Sequence, residues 1–229
     1  MARALLVVTG ADHFTLTDGT QHPTGYWAEE LIELHRGLLA AGHQVDLATP
    51  GGRVPVPDAA SLDLSTEAGR DRRAYLDSIA EELNHPLVLA EIPVGLYDAI
   101  VLPGGHGPMQ DLAFEPDLGR LLLDAADRDA VIGALCHGPA GLLSATRPDG
   151  SFAFAGRRLA AFTDAEEAIG GLADRSPYLL QSRLAELGAQ VESGAPWSQT
   201  VVVDGRLVSG QNPQSSVATA AAVVDALAS

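Results

Sequence analysis

The sequence predicts an α/β protein built on a doubly wound, mostly parallel sheet sandwiched by helices. Two patterns carry that prediction. Short continuous apolar runs recur along the chain, as in strands buried on both faces. Segments with apolar residues at helical spacing separate them, which implies right-handed crossovers between parallel strands. The first run, Ala2 to Val8, ends at Gly10, and others span Gln44–Thr49, Ala99–Leu102, Ala130–Leu135 and Leu159–Phe162. Between them, Trp27, Leu31, Leu34 and Leu38 form one helical stripe; Leu118, Leu121, Leu122 and Ala125 form another, and Ala140 to Leu143 a third.

Two stretches depart from the alternation. Residues 51–93 begin rich in Gly and Pro and contain a helix near Arg72–Leu83, so they read as an insertion capping one end of the sheet. Near the C-terminus, Thr200–Val203 and Arg206–Val208 read as a hairpin turning through Asp204-Gly205, a type I′ signal, with an Ala-rich helix from about Gln214. No repeat or linker interrupts the chain, so one domain over residues 1–229 is expected.

Composition narrows the partners. With 30 Asp+Glu against 14 Lys+Arg, the net charge of −16 repels phosphate backbones and anionic lipid, so neither nucleic acid nor membrane is an expected partner. The apolar start is too short for a signal-peptide core, and no run approaches the roughly 20 apolar residues that span a bilayer, which points to the cytoplasm. One cysteine cannot form an internal disulfide, and zinc-finger spacings are absent.

That cysteine carries the chemistry. In Val131 to Ala140 an apolar strand runs straight into a helix through Leu135-Cys136-His137-Gly138, with Ala134 and Gly138 two places either side of the cysteine. This is the spacing of a nucleophile elbow, whose strained turn needs small flanking residues. A helix N-terminus would favour the thiolate. The bland alternative is a small buried hydrophobe. Adjacent residues on a turn point in different directions, so His137 acts either as the proton acceptor or through its backbone amide in an oxyanion hole.

Three further elements surround the elbow. The Gly-rich loop Leu102 to Pro108 follows a strand's C-terminal end, where doubly wound sheets bind ligands; Gly105 is the expected oxyanion amide, with His106 beside it against the substrate. Glu30 borders the Trp27 to Leu38 stripe, where it either reaches solvent or meets the cysteine as a protonated hydrogen-bond donor. In Phe162 to Glu167, Asp164 is an expected helix N-cap with Glu167 three residues on, as in a capping box. One of these two acids could also orient His137, and spacing does not choose between them.

In order along the chain, Thr24–Leu31 (TGYWAEEL), Pro103–Met109 (PGGHGPM), Leu135–Ala140 (LCHGPA), Phe162–Glu167 (FTDAEE) and Gly210–Pro213 (GQNP) resemble the class I glutamine amidotransferase-like superfamily that includes the PfpI proteins. Within it they are most similar to the heat-shock chaperone and glyoxalase III branch. The resemblance implies a flavodoxin-like sheet, a homodimer, and catalytic positions at Cys136, His137 and Glu30, with Glu167 as the triad acid and Asp164 in reserve. Trp197 and Asn212 match family positions that shape the substrate pocket. No cofactor is implied, and no metal ligands map onto matching motifs. His22-Pro23 departs from the basic residue usual before the Thr-Gly pair.

The activity implied is that of a glutathione-independent glyoxalase, a D-lactate dehydratase that takes a small dicarbonyl such as methylglyoxal to D-lactate through a cysteine hemithioacetal. A cysteine amidase, peptidase or deglycase would use the same thiolate. A redox sensor or holdase would use the cysteine without turnover.

Overall fold

Seven strands form the central sheet in the computed structural model, which describes residues 1–229. They are β1 (Arg3–Val7), β2 (Gln44–Thr49), β3 (Leu87–Val88), β4 (Ala99–Leu102), β5 (Val131–Leu135), β6 (Val201–Asp204) and β7 (Leu207–Gly210). Their spatial order is β6-β7-β5-β4-β1-β2-β3, with every pair parallel except the β6–β7 hairpin at one edge. From β1 the chain runs outward to β2 and β3, then returns to the other side of β1 at β4. That reversal opens a crevice beyond the C-terminal ends of β1 and β4, the usual ligand position of such sheets.

The apolar runs are buried on both faces because successive residues point to opposite sides. Leu5 and Val7 join one core with Ile100, Leu102 and Ile132, covered by α3 (Pro116–Asp127) through Leu118, Leu121 and Leu122. Ala4, Leu6 and Val8 join the other with Val101 and Leu135, covered by α1 (Ala28–Ala40) through Leu31, Leu34 and Leu38 and by α5 (Ser216–Ala228) through Val223. At Gly133 a Cβ would come within 2.8 Å of Val223, so the glycine lets α5 lie close on the sheet. No helix is long and apolar enough to cross a membrane.

The structure corrects four sequence expectations. Leu159–Phe162 is not a strand of the central sheet, because β7 takes the place beside β5. Only Arg158–Leu159 is extended in a pair, with Gln190–Val191, while the amides of Ala160 and Phe162 donate to Ser209 Oγ and the Cys136 carbonyl. The tail hairpin turns at Gly205-Arg206 rather than Asp204-Gly205. Asp204 stays in β6, where its carboxylate accepts from Arg157 Nε at 2.7 Å and the Arg158 amide at 3.0 Å, and only Gly205 has a positive φ.

The segment after the elbow, Gly138–Ser144, is a 3₁₀ helix and not an α-helix. Finally, residues 51–93 do not close over the elbow. Their helix α2 (Glu67–Ser78) lies on α1, with Leu62, Leu76, Ile79 and Leu83 in the α1-side core, and β3 extends the sheet beyond β2. Their link to the site is indirect: Val56 accepts the Tyr26 amide and Ser61 Oγ accepts the Ala28 amide, fixing the entry to α1.

Close backbone approach at the elbow yields a stability test. A Cβ at Gly138 would lie 2.1 Å from the Leu102 carbonyl oxygen, a contact no side-chain rotation relieves. Gly138→Ala is expected to cost at least about 2 kcal/mol, a fall in Tm of roughly 4–8 °C at this chain length. Gly170→Ala, facing open space, should shift Tm by no more than about 2 °C. Thermal unfolding of the two variants checks the pair.

Candidate active site

Cys136 follows β5 directly and has φ +62°, a left-handed conformation that an L side chain adopts at a cost and that lifts it off the strand end. Its amide donates to the Gly210 carbonyl and its carbonyl accepts from the Phe162 amide, each at 2.9 Å, so β7 and the 158–163 segment clamp the turn from both sides. The residue is buried, with its sulfur on the α1 side of the sheet.

The turn curls enough for the neighbouring histidine to reach back: His137 Nδ1 lies 3.4 Å from Cys136 Sγ. The ring is held between His106 and Phe162, with centroid separations of 4.1 and 4.3 Å. Its Nε2 donates to Glu167 Oε2 at 2.9 Å, while His106 Nε2 donates to Glu167 Oε1 at 2.7 Å. Burial and the neighbouring His106 push His137 down to about 4, so the ring is neutral near pH 7. Burial alone would raise the Glu167 carboxyl, but its bonds from His106 and His137 outweigh that and hold it well below the usual carboxylate range. With the proton on Nε2, Nδ1 is left as an acceptor facing the sulfur.

Asp164 has another occupation, accepting from Ser182 Oγ at the start of the next helix. The capping box is also one residue earlier than expected. In α4 (Asp164–Gly170) Thr163 is the N-cap, its Oγ1 accepts from the Glu166 amide at 3.1 Å, and Glu166 Oε2 accepts from the Thr163 amide at 3.0 Å. Sequence admits both registers, since Thr163 and Asp164 each stand three residues before a glutamate.

Glu30, fully buried on α1, accepts from the Gly104 amide through Oε2 at 2.7 Å. Its Oε1 makes no hydrogen bond of good geometry, although the Cys136 thiol is close enough to couple to it. Burial pushes the carboxyl up to about 8, the thiol and the Gly104 amide opposing only in part. Burial also pushes the Cys136 thiol up, and the Glu30 carboxyl adds to it, against the amides of Gly105 and His137. The expectation of a thiolate favoured by a helix N-terminus is therefore overturned. The helix is a 3₁₀ segment with a proline in its first turn, and burial dominates. Two buried acids facing each other resist ionising, so near pH 7 carboxyl and thiol each keep a proton.

Gly105 takes φ +88°, and a Cβ there would meet the Gly25 carbonyl at 2.3 Å, so only glycine allows its amide to face the sulfur beside that of His137. The result is a cleft of about 110 Å³ lined by Trp27, Gly105, His106, Cys136, His137, Phe162, Glu167 and Trp197, among others. That is well below the roughly 300 Å³ at which pockets begin to take drug-sized ligands. A larger open hollow of about 400 Å³, beside Met1, His43 and Arg206, lies at the opposite end of the strands from these groups.

Asn212 is not in the cleft, contrary to expectation. Its Nδ2 donates to Glu166 Oε1 and the Ser198 carbonyl, and its Oδ1 accepts from Ser215 Oγ. These bonds reveal a residue that sequence reasoning missed. Glu166, fully buried, accepts from the Thr163 amide and hydroxyl, the Trp197 amide, Gln211 Nε2 and Asn212 Nδ2. It thereby fixes Trp197, itself at φ +62° and packed edge-on against Phe162 at 5.6 Å. Trp27 was read as part of an apolar stripe and is a cleft wall. His106, His137 and Glu167 also have donor atoms within 4.8 Å of one another, the spacing of a metal site, although the histidine Nε2 atoms are already bonded to the carboxylate.

Two predictions follow from these carboxyls. Glu30 ionises near 4.5 in an unfolded chain and near 8 when folded, so its neutral form favours folding. The stability it contributes is full below pH 4.5 and is lost as pH rises through about 8. Wild type should therefore lose stability relative to Glu30→Gln across that window in urea titrations; a pH-independent difference would count against a buried neutral carboxyl. Glu166→Gln turns an amide donor toward atoms that already donate and is expected to cost roughly 1–3 kcal/mol, measured the same way at neutral pH.

Comparison with known proteins agrees with this architecture. The model for the DJ-1/PfpI family matches residues 24–226. "Glyoxalase 3" of Candida albicans is 29% identical over 236 residues, covering 99% of this chain and 98% of that protein. The crystal structure of glyoxalase III from the same organism superposes with a TM-score of 0.84 at 27% identity, covering 98% of this chain and 97% of that one. Rapid Encystment Protein 24 KDa of Francisella tularensis superposes with a TM-score of 0.89 at 28% identity, over 99% of both chains. "Protein/nucleic acid deglycase HchA" of Staphylococcus aureus is 29% identical over 228 residues, 93% of this chain and 76% of that protein.

Proposed function

We propose that this chain, which belongs to the DJ-1/PfpI family, is a glutathione-independent glyoxalase that converts methylglyoxal to D-lactate. The observation that carries the reading is the juxtaposition of the buried Cys136 with the buried Glu30, whose carboxyl is neutral near pH 7 and whose Oε1 has no hydrogen-bond partner. Likeness to the Candida glyoxalase over nearly its whole length supports it.

In this mechanism Sγ adds to the aldehyde carbon, forming the C–S bond. The thiol proton passes to His137 Nδ1, and the aldehyde oxygen takes a proton from Glu30, giving a hemithioacetal. The resulting Glu30 carboxylate removes the remaining hydrogen of that carbon, while the proton held by His137 passes through a water in the cleft to the ketone oxygen, giving an enediol. Glu30 returns its proton to the neighbouring carbon and the hydroxyl proton of the sulfur-bearing carbon passes to His137, converting the enediol to a thioester. Water then adds, the C–S bond breaks, the thiol is restored, and the sum is methylglyoxal plus water to lactate and a proton. Glu167 keeps His137 in the accepting tautomer, and the Gly105 and His137 amides face the oxygen that gains charge.

A second reading, removal of dicarbonyl adducts from larger molecules, is supported by the Staphylococcus relative. It requires the cleft of about 110 Å³ to admit an attached chain. In either reading we take the chain to act as a cytoplasmic homodimer that needs no cofactor.

Incubation with methylglyoxal in the absence of glutathione should yield one D-lactate per dicarbonyl consumed, and Cys136→Ala should lower kcat by at least about a thousand-fold. Because the protonated Glu30 is the working form, kcat/KM should fall as pH rises past about 8, a limb that Glu30→Gln removes with most of the activity. Unchanged turnover by Cys136→Ala would sink the mechanism.

A further inference from the structure

Across the chain, only two buried side-chain polar atoms lack a hydrogen-bond partner: Glu30 Oε1 and Trp27 Nε1. They stand three residues apart at the start of α1, and both residues border the cysteine. The first is explained by the thiol. The second has no such explanation. An indole N–H can only donate, and burying it without an acceptor is unfavourable.

Trp27 is tied to the site at its backbone, where its amide donates to the Gly104 carbonyl at 2.9 Å, the same residue whose amide meets Glu30. The residue lines the cleft together with Gly105, Cys136 and His137, and its Nε1 is buried without a partner. The proposed chemistry uses one oxygen acceptor that the site has not yet matched. The aldehyde oxygen is served by Glu30 and by the two amides; the second oxygen of a dicarbonyl has no donor from the protein assigned to it.

We propose that Trp27 Nε1–H is the hydrogen-bond donor for that second oxygen, making this residue the one that selects 2-oxoaldehydes over simple aldehydes. The inference rests on the glyoxalase reading for the identity of the ligand. A monoaldehyde leaves the indole unpaired in the cleft, and a site built to pair a polar group discriminates against analogues that lack it. As hydrogen leaves the aldehyde carbon, negative charge spreads to the ketone oxygen, so the bond strengthens on the way to the enediol and acts on kcat as well as KM.

The chain holds two tryptophans, Trp27 and Trp197, so a ¹⁵N-correlated spectrum contains two indole resonances, and Trp27→Phe assigns them. In the non-turnover Cys136→Ala protein, methylglyoxal should move the Trp27 indole proton downfield and saturably, and Trp197 less. In the protein with Cys136 intact, Trp27→Phe should lower kcat/KM roughly 10-fold or more without lowering Tm. A Trp27 resonance that stays still, or a Trp27→Phe enzyme as active as wild type, overturns the inference. Wild-type turnover tests the underlying reading separately. Turnover with a silent Trp27 leaves the glyoxalase standing and removes the indole's role; a shifting Trp27 without turnover does the reverse; silence in both removes both.

Discussion

The backbone of Cys136 is held where L-residues seldom sit, at φ +62°, and the site is arranged around that turn. A left-handed residue costs about 1–2 kcal/mol, and here the surrounding chain over-determines it. Its amide and carbonyl are both bonded to other segments, and two residues on, Gly138 passes so close to the Leu102 carbonyl that no side chain fits. The turn brings the sulfur toward α1 and lets the adjacent imidazole fold back on it. Both partners of the cysteine are consequences of one backbone angle.

Around that turn the site divides its carboxyls by the donors each receives. Glu30 is buried with a single amide on one oxygen and stays neutral near pH 7; Glu167, buried almost as deeply, has a histidine on each oxygen and stays charged. The same side chain therefore serves as proton donor in one place and fixed counter-charge in another, by environment alone. The neutral imidazole between them completes a path in which protons move while the net charge of the buried cluster changes little.

Much of this was legible in the sequence because the signals were local. A five-residue apolar strand running into Cys136-His137-Gly138 states the elbow directly, and the i, i+3, i+4 stripe on α1 places Glu30 at the edge of a buried face. What could not be read depended on partners distant in the chain. Leu159–Phe162 has strand composition, but β7, some 50 residues later, competes for the same sheet position and wins. Asp204-Gly205 is a strong turn dipeptide, yet Arg157 pulls the aspartate into the strand. Likewise the fold over 51–93 follows from apolar surface on α1 and not from anything near the elbow.

The capping box at Thr163 carries a further consequence. Successive helical residues are about 100° apart, so this one cap decides that Glu167 meets the histidines while Glu166 turns to the Trp197 loop. The two neighbours are chemically identical and have opposite duties, one exchanging contacts with a reacting ring and the other saturated by fixed donors. A single-residue insertion or deletion between Phe162 and Glu166 would turn both headings by about 100°, leaving one of the two duties unfilled. The site is thus as sensitive to chain length at this joint as to the identity of its reactive side chains, and variation among relatives here would be confined to substitutions that keep the count.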